Sequence, residues 1–158
     1  MSLMAEWTSN AVQTVNPNEA VVFLENPVPC NRGLVWEREG TGLFELKGYT
    51  PFTRRCMCQP DPSAVYEVDF GANIAIPTGE TVSPISLAIT LGGATIPAST
   101  MIVTPAAVEE YFNVSRAINA LVRKGCCETL TVRNISTIPI LVQNANIIFD
   151  RPDLAVTR

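Results

Sequence analysis

Apolar and polar residues alternate most strictly from Val65 to Ile74. There Tyr66, Val68, Phe70, Ala72 and Ile74 interleave with Glu67, Asp69, Gly71 and Asn73. Period two over that length predicts a strand with one face in a core and one polar face. Pro77-Thr-Gly-Glu80 closes it, and Ile85, Leu87, Ile89 and Leu91 repeat the pattern as far as Gly92-Gly93. Two consecutive glycines supply the positive φ angles of a tight hairpin turn. The return run, Thr95 to Thr104, contains Pro97 and is expected at an edge or with a bulge. Nearer the start, Ala20 to Phe23 reads as a short strand ending at Asn26-Pro-Val-Pro, and runs at 33–37 and 43–47 flank the turn Arg38-Glu-Gly-Thr-Gly as a second hairpin.

Two stretches need more argument. Between Thr104 and Gly125 the Thr-Pro start and Lys124-Gly125 end suit a helix, with Val108, Tyr111, Phe112, Ser115, Ile118 and Leu121 at helical spacing. A strand fits as well, with Phe112, Val114, Arg116, Ile118, Ala120 and Val122 on one face. The strand is favoured because the rest of the chain supplies only β partners. From Cys126 to Phe149, the alternating runs at 129–133 and 138–149 are joined by an Asn134-Ile-Ser-Thr break, the pattern of a half-buried antiparallel hairpin.

Residues 1–19 mix small and polar residues around Trp7, Val12 and Val15, with a turn at Asn16 to Glu19. They are read as an extended N-terminal arm ahead of a domain spanning 20–158, held by that domain or by another subunit. Eight to ten short strands separated by Gly, Pro and Asn turns predict an all-β antiparallel sandwich or jelly roll.

Composition narrows the function. Charged residues make up 16% of the chain against 47% hydrophobic, little charge for a free monomer, which suggests surface committed to neighbouring subunits. With 11 Lys and Arg against 15 Asp and Glu, the net charge is -4, and nothing resembles a basic stripe for nucleic acid. The opening residues lack the pattern of a signal peptide, and no apolar run approaches the roughly 20 residues that cross a bilayer, so a soluble protein made in a cytoplasm is expected, without nucleic-acid or membrane partners. Histidine is absent, which removes the commonest general base, the Ser-His and Cys-His pairs, and imidazole metal ligation. No enzyme activity and no cofactor are expected.

The remaining candidate chemistry is modest. Cys30, Cys56, Cys58, Cys126 and Cys127 are an odd set, read chiefly as free thiols in a reducing compartment, with crosslinks after release as the alternative. The Cys56-X-Cys58 and Cys126-Cys127 spacings suit no common zinc motif, so no metal site is expected. Glu67 with Asp69, and Glu109 with Glu110, are read as solvated carboxylates rather than an acid/base pair, and the sequons at Asn113 and Asn134 as chance. Asn144 and Asn146, two amides on one face of an apolar last strand, need hydrogen-bond partners and are candidates for a subunit axis. The proline-rich loop from Tyr49 to Ser63 offers Tyr49, Phe52, Arg54 and Arg55 as a candidate recognition surface.

The segments LTVRN at 130–134 and VQNANII at 142–148 resemble the closing hairpin of C1q/TNF-like jelly rolls, a group that includes the C-terminal domains of bacterial exosporium proteins. YEVDFGANIAIP at 66–77 and MIVTPAAVEEYFNVS at 101–115 are similar to small structural proteins of tailed phages and prophages of gut Firmicutes. The resemblance covers roughly residues 20–152 and brings no catalytic residues; the collagen-like Gly-X-Y stalk of the spore proteins is missing. It implies a homotrimeric jelly roll on a virion surface, bound to the major capsid protein or another virion protein, with residues 1–19 as the attachment arm. The alternative it implies is a receptor- or glycan-binding head of a phage fibre, or a spore-surface C1q-like protein.

Overall fold

The computed structural model describes residues 3–30, 33–48, 63–123 and 127–152. Among them lie twelve strands: β1 (Leu3–Ser9), β2 (Gln13–Val15), β3 (Glu25–Val28), β4 (Val35–Arg38), β5 (Leu43–Leu46), β6 (Ser63–Ala75), β7 (Ile85–Leu91), β8 (Ala94–Thr95), β9 (Met101–Val103), β10 (Phe112–Arg123), β11 (Glu128–Asn134) and β12 (Ile140–Arg151). They form two antiparallel sheets. The first has the order β10-β6-β12-β1-β3, with β2 also on β12; the second has the order β4-β5-β11-β7-β8, with β9 also on β7. Inward side chains of both sheets make one core, in which Trp7, Phe23, Phe44, Phe70 and Phe149 form an aromatic cluster. Phe44 lies 5.1 Å from Trp7 and 4.9 Å from Phe149 between ring centroids, the spacing at which tilted aromatic pairs attract.

The alternation at 66–74 becomes the long central strand β6, the double glycine turns β7 into β8 with positive φ at both residues, and the hairpin at 33–47 is β4–β5. The conflicted stretch is a strand: β10 pairs with β6 along its whole length, from Phe112 opposite Ile74 to Arg123 opposite Ser63. The return run containing Pro97 divides into β8, a 3-10 turn at Pro97–Ser99 and β9, which raises the strand count above the eight to ten expected.

Three expectations are corrected. The described part of the expected arm, residues 3–19, is not detached from the core: β1 is an interior strand of the first sheet, between β12 and β3, and Trp7 and Val15 are buried, leaving Val12 exposed. The runs at 129–133 and 138–149 do not pair as a hairpin, because β11 pairs with β5 and β7 while β12 pairs with β1, β2 and β6 in the opposite sheet. The connection between them crosses the sandwich instead. Finally, 20–23 is a crossover with one isolated bridge, Ala20 to Arg133, and the strand lies just beyond it as β3, an outer strand where Pro27 needs no ladder hydrogen bond.

Tyr66 ties the sheets together at one end. Its hydroxyl lies 2.6 Å from the carbonyl of Lys47 and 3.1 Å from that of Leu34, which flank the β4–β5 hairpin, and buried Arg151 sits 4.8 Å over its ring. Tyr66→Phe keeps the ring under the guanidinium but removes the hydroxyl that accepts from Arg151 Nη1 (3.4 Å) and faces the Lys47 and Leu34 carbonyls, of which Leu34 keeps the Lys47 amide as a donor. It is expected to lower stability by about 1–2 kcal/mol in urea unfolding, and a loss indistinguishable from zero would show that the hydroxyl does not join the sheets.

Candidate assembly face

The outward side chains of the first sheet can be read row by row from its register. Asn113 of β10 stands opposite Asn73 of β6, which stands opposite Gln143 of β12. The next row is Ser115, Gly71, Asn146 and Thr8, then Ala117, Asp69, Ile148 and Glu6, then Asn119, Glu67, Asp150 and Met4. Small and amide side chains therefore fill one half of the face and carboxylates the other. Leu121 and Val65 pair beyond the acidic rows.

The amide half is a connected network. Asn113 Nδ2 donates to Asn73 Oδ1 (3.1 Å), Asn73 Nδ2 donates to Asn144 Oδ1 (3.3 Å), and Asn144 Nδ2 reaches the carbonyl of Asn10 (3.5 Å). Asn144 can join because β12 carries an irregularity between Gln143 and Asn146, with Asn144 in the left-handed region at φ 52 that Asn tolerates better than most residues. Gly71 leaves room for its neighbour, since a Cβ there would meet Asn146 Oδ1 at 3.0 Å. The result is an uncharged patch in which Asn113, Asn73 and Asn144 bond to one another across the strands. Asn144 and Asn146 thus both lie on this outer face, and the sequence reading overlooked Asn73, Asn113, Ser115 and Gly71 beside them. A glycine inside the otherwise strict alternation at 66–74 was the available signal.

The other candidates separate from this face. Trp7 and Val15 belong to the core. Tyr49, Phe52, Arg54, Arg55, Cys56, Cys58 and Cys126 lie outside the described residues. Cys30 is a free thiol packed against the core, whereas Cys127 is disulfide-bonded, which corrects the expectation of free thiols at that position. The Glu109 carboxylate accepts from the Thr78 amide and hydroxyl, and that of Glu110 from the amides of Ala106 and Ala107, so both brace the turn before β10. Of the two sequons, Asn134 is fully buried and Asn113 is engaged in the amide row. Among the described residues no group of His, Cys, Asp and Glu is arranged to hold a metal ion.

No family model and no curated protein matches the chain. Solved structures do match. The chain is similar to Eiger TNF from S. frugiperda at 12% identity and a TM-score of 0.64, covering 100% of this chain and 94% of that one. It is similar to murine APRIL at 11% identity and a TM-score of 0.64, covering 96% and 99%. The globular domain of zebrafish complement 1qA matches at 10% identity and a TM-score of 0.53, covering 94% of each chain. The fold is a C1q/TNF-type jelly roll. In this jelly roll, as in those, two sheets enclose the core, and the first sheet presents the outer face described above.

Proposed function

We propose that the chain is a non-enzymatic structural protein of a phage virion, a homotrimer that decorates the capsid, with the outer face of the first sheet turned toward the three-fold axis. The observation that carries the assembly half of this reading is the amide and small-residue patch centred on Asn73, Asn144, Asn146, Gly71 and Ser115. Side chains already bonded to one another lose little freedom when a neighbour covers them, and a surface without protruding charge lets identical faces approach. The low charge content and the absence of histidine support a binding or scaffolding role over catalysis. The virion placement rests on the sequence resemblance at 66–77 and 101–115.

Light scattering is expected to return three times the 17.1 kDa of the chain. Ser115→Arg places a charge on an exposed position of the patch, where a surface substitution changes stability by about 0.5 kcal/mol or less. This variant should elute as a folded monomer; a monomeric wild type, or an intact Ser115→Arg trimer, would refute the assembly reading. For decoration, imaging of particles should show the protein on the capsid in hundreds of copies. Restriction to a few dozen at fibre positions would favour the receptor-binding alternative.

A further inference from the structure

The β4–β5 hairpin forms one outer edge of the second sheet, and Glu37 on β4 points between the sheets there. It stands opposite Phe44, whose ring is in the core, while its neighbours Trp36 and Arg38 face outward. The carboxyl lies against the 20–24 crossover (AVVFL), which has no charged residue. One of its oxygens, Oε1, is buried with no hydrogen-bond partner. The contact is close: the start of β5 is so tight against the crossover that a Cβ on Gly42 would fall 2.1 Å from the carbonyl oxygen of Val21. A charge on this half-buried carboxyl is therefore only partly hydrated in the closed structure, and its Oε1 has no donor to replace the missing water.

We propose that Glu37 is an ionisation wedge: with a proton on its carboxyl the β4–β5 hairpin closes against the crossover, and loss of that proton prises this edge of the sandwich open. The inference stands apart from the trimer reading. Burial pushes the carboxyl up from 4.5 to about 7; the Gly42 amide opposes this, the like charge of Glu39 adds to it, and the Phe23 amide opposes it. Among the described residues no cation offsets the charge. Arg38 is turned outward and held by Glu45 at 3.3 Å, and Arg133 of β11 alternates with the core-facing Val132 and Asn134. Of the acids, Glu25 is exposed at the start of β3 and Glu6 lies on the outer face of the first sheet.

The sign follows from the raised value. Opening releases the carboxyl to its ordinary range, so ionisation favours the open form as pH rises from about 4.5 to about 7, and the effect is constant above that. Below about 4.5 both forms are protonated and the wedge is silent. The test is hydrogen exchange of the segment 35–46 from pH 5 to 9, corrected for the intrinsic rate at each pH, with 66–74 as internal reference. With solvent screening of a half-buried group allowed for, wild-type opening is expected to rise about tenfold between pH 5 and 8 and then level off. Glu37→Gln should abolish that rise, and Glu39→Gln should move the plateau to lower pH by removing the like charge. A flat wild-type profile, the same rise in Glu37→Gln, or a parallel rise in the reference segment would overturn the proposal.

Discussion

Asn134→Ala is expected to lower the free energy of unfolding by about 3 kcal/mol or more. The side chain is fully buried, and every polar atom on it is used. Nδ2 donates to the carbonyls of Val15 (2.9 Å) and Ile138 (3.0 Å), and Oδ1 accepts from the amide of Ser136 (2.8 Å). The backbone of the same residue exchanges hydrogen bonds with the N-terminal segment, donating to Glu19 and accepting from Asn18. Truncation would remove the partner of one buried carbonyl, on Val15, and of two part-buried groups, the Ile138 carbonyl and the Ser136 amide, each loss costing about 1–3 kcal/mol where water cannot replace the partner, and would open a cavity as well. Asn134→Asp provides the sharper comparison. It keeps the acceptor for Ser136 but sets a carboxylate against two carbonyl oxygens, so at neutral pH it should lose more than the alanine variant. Urea midpoints at unchanged m-value would measure both, and a loss below about 1 kcal/mol for Asn134→Ala would mean that this knot does not hold the N-terminal segment to the sandwich.

Gly42→Ala is expected to cost about 3 kcal/mol or more, and Gly40→Ala about 1 kcal/mol. Both glycines have positive φ, 75 at Gly40 and 70 at Gly42, so both substitutions carry the left-handed penalty. They differ in what a methyl group would meet. At Gly40 nothing lies within 4 Å, whereas at Gly42 the carbonyl oxygen of Val21 lies at 2.1 Å and its carbon at 3.0 Å. Those are backbone atoms that cannot rotate aside, so the crossover would have to leave β11, where the Val21 amide donates to Val132. Equal losses for the two variants would show that the crossover yields easily and that only the φ penalty is being measured.

Legibility in the sequence followed the strength of local alternation. β6, β7 and β5 were readable because each puts apolar side chains at every second position, and β4 was readable through the Arg38-Glu-Gly-Thr-Gly turn that joins it to β5. β1 was not, since its inward positions are Ala5, Trp7 and Ser9, a small, a large and a polar residue that do not look like a core face. β3 has every residue exposed and carries no burial signal at all. The error over β11 and β12 has a different origin. Alternation says that each is half-buried but cannot say whether both belong to one sheet. What separates them is non-local: Asn134 bonds to Val15, 119 residues earlier in the chain. The assembly face was half legible. Asn144 and Asn146 stood out as amides in an apolar strand, but their partners Asn73 and Asn113 lie on strands distant in sequence and become neighbours through the register of β12-β6-β10.

The pairing of β1 with β12 sets Leu3 opposite Arg151 and Ser9 opposite Ala145, so the interior of one sheet is built from the two ends of the chain. Contacts of such sequence separation require the longest loop closures a chain of this length can make, and they form late. During synthesis β1 leaves the ribosome with its neighbour β12 still unmade, and the sheet remains incomplete until residues 140–151 have been added. Completion of this sheet therefore waits for β12, and until then β1 lacks the partner on that edge and is open to a chaperone or another nascent copy.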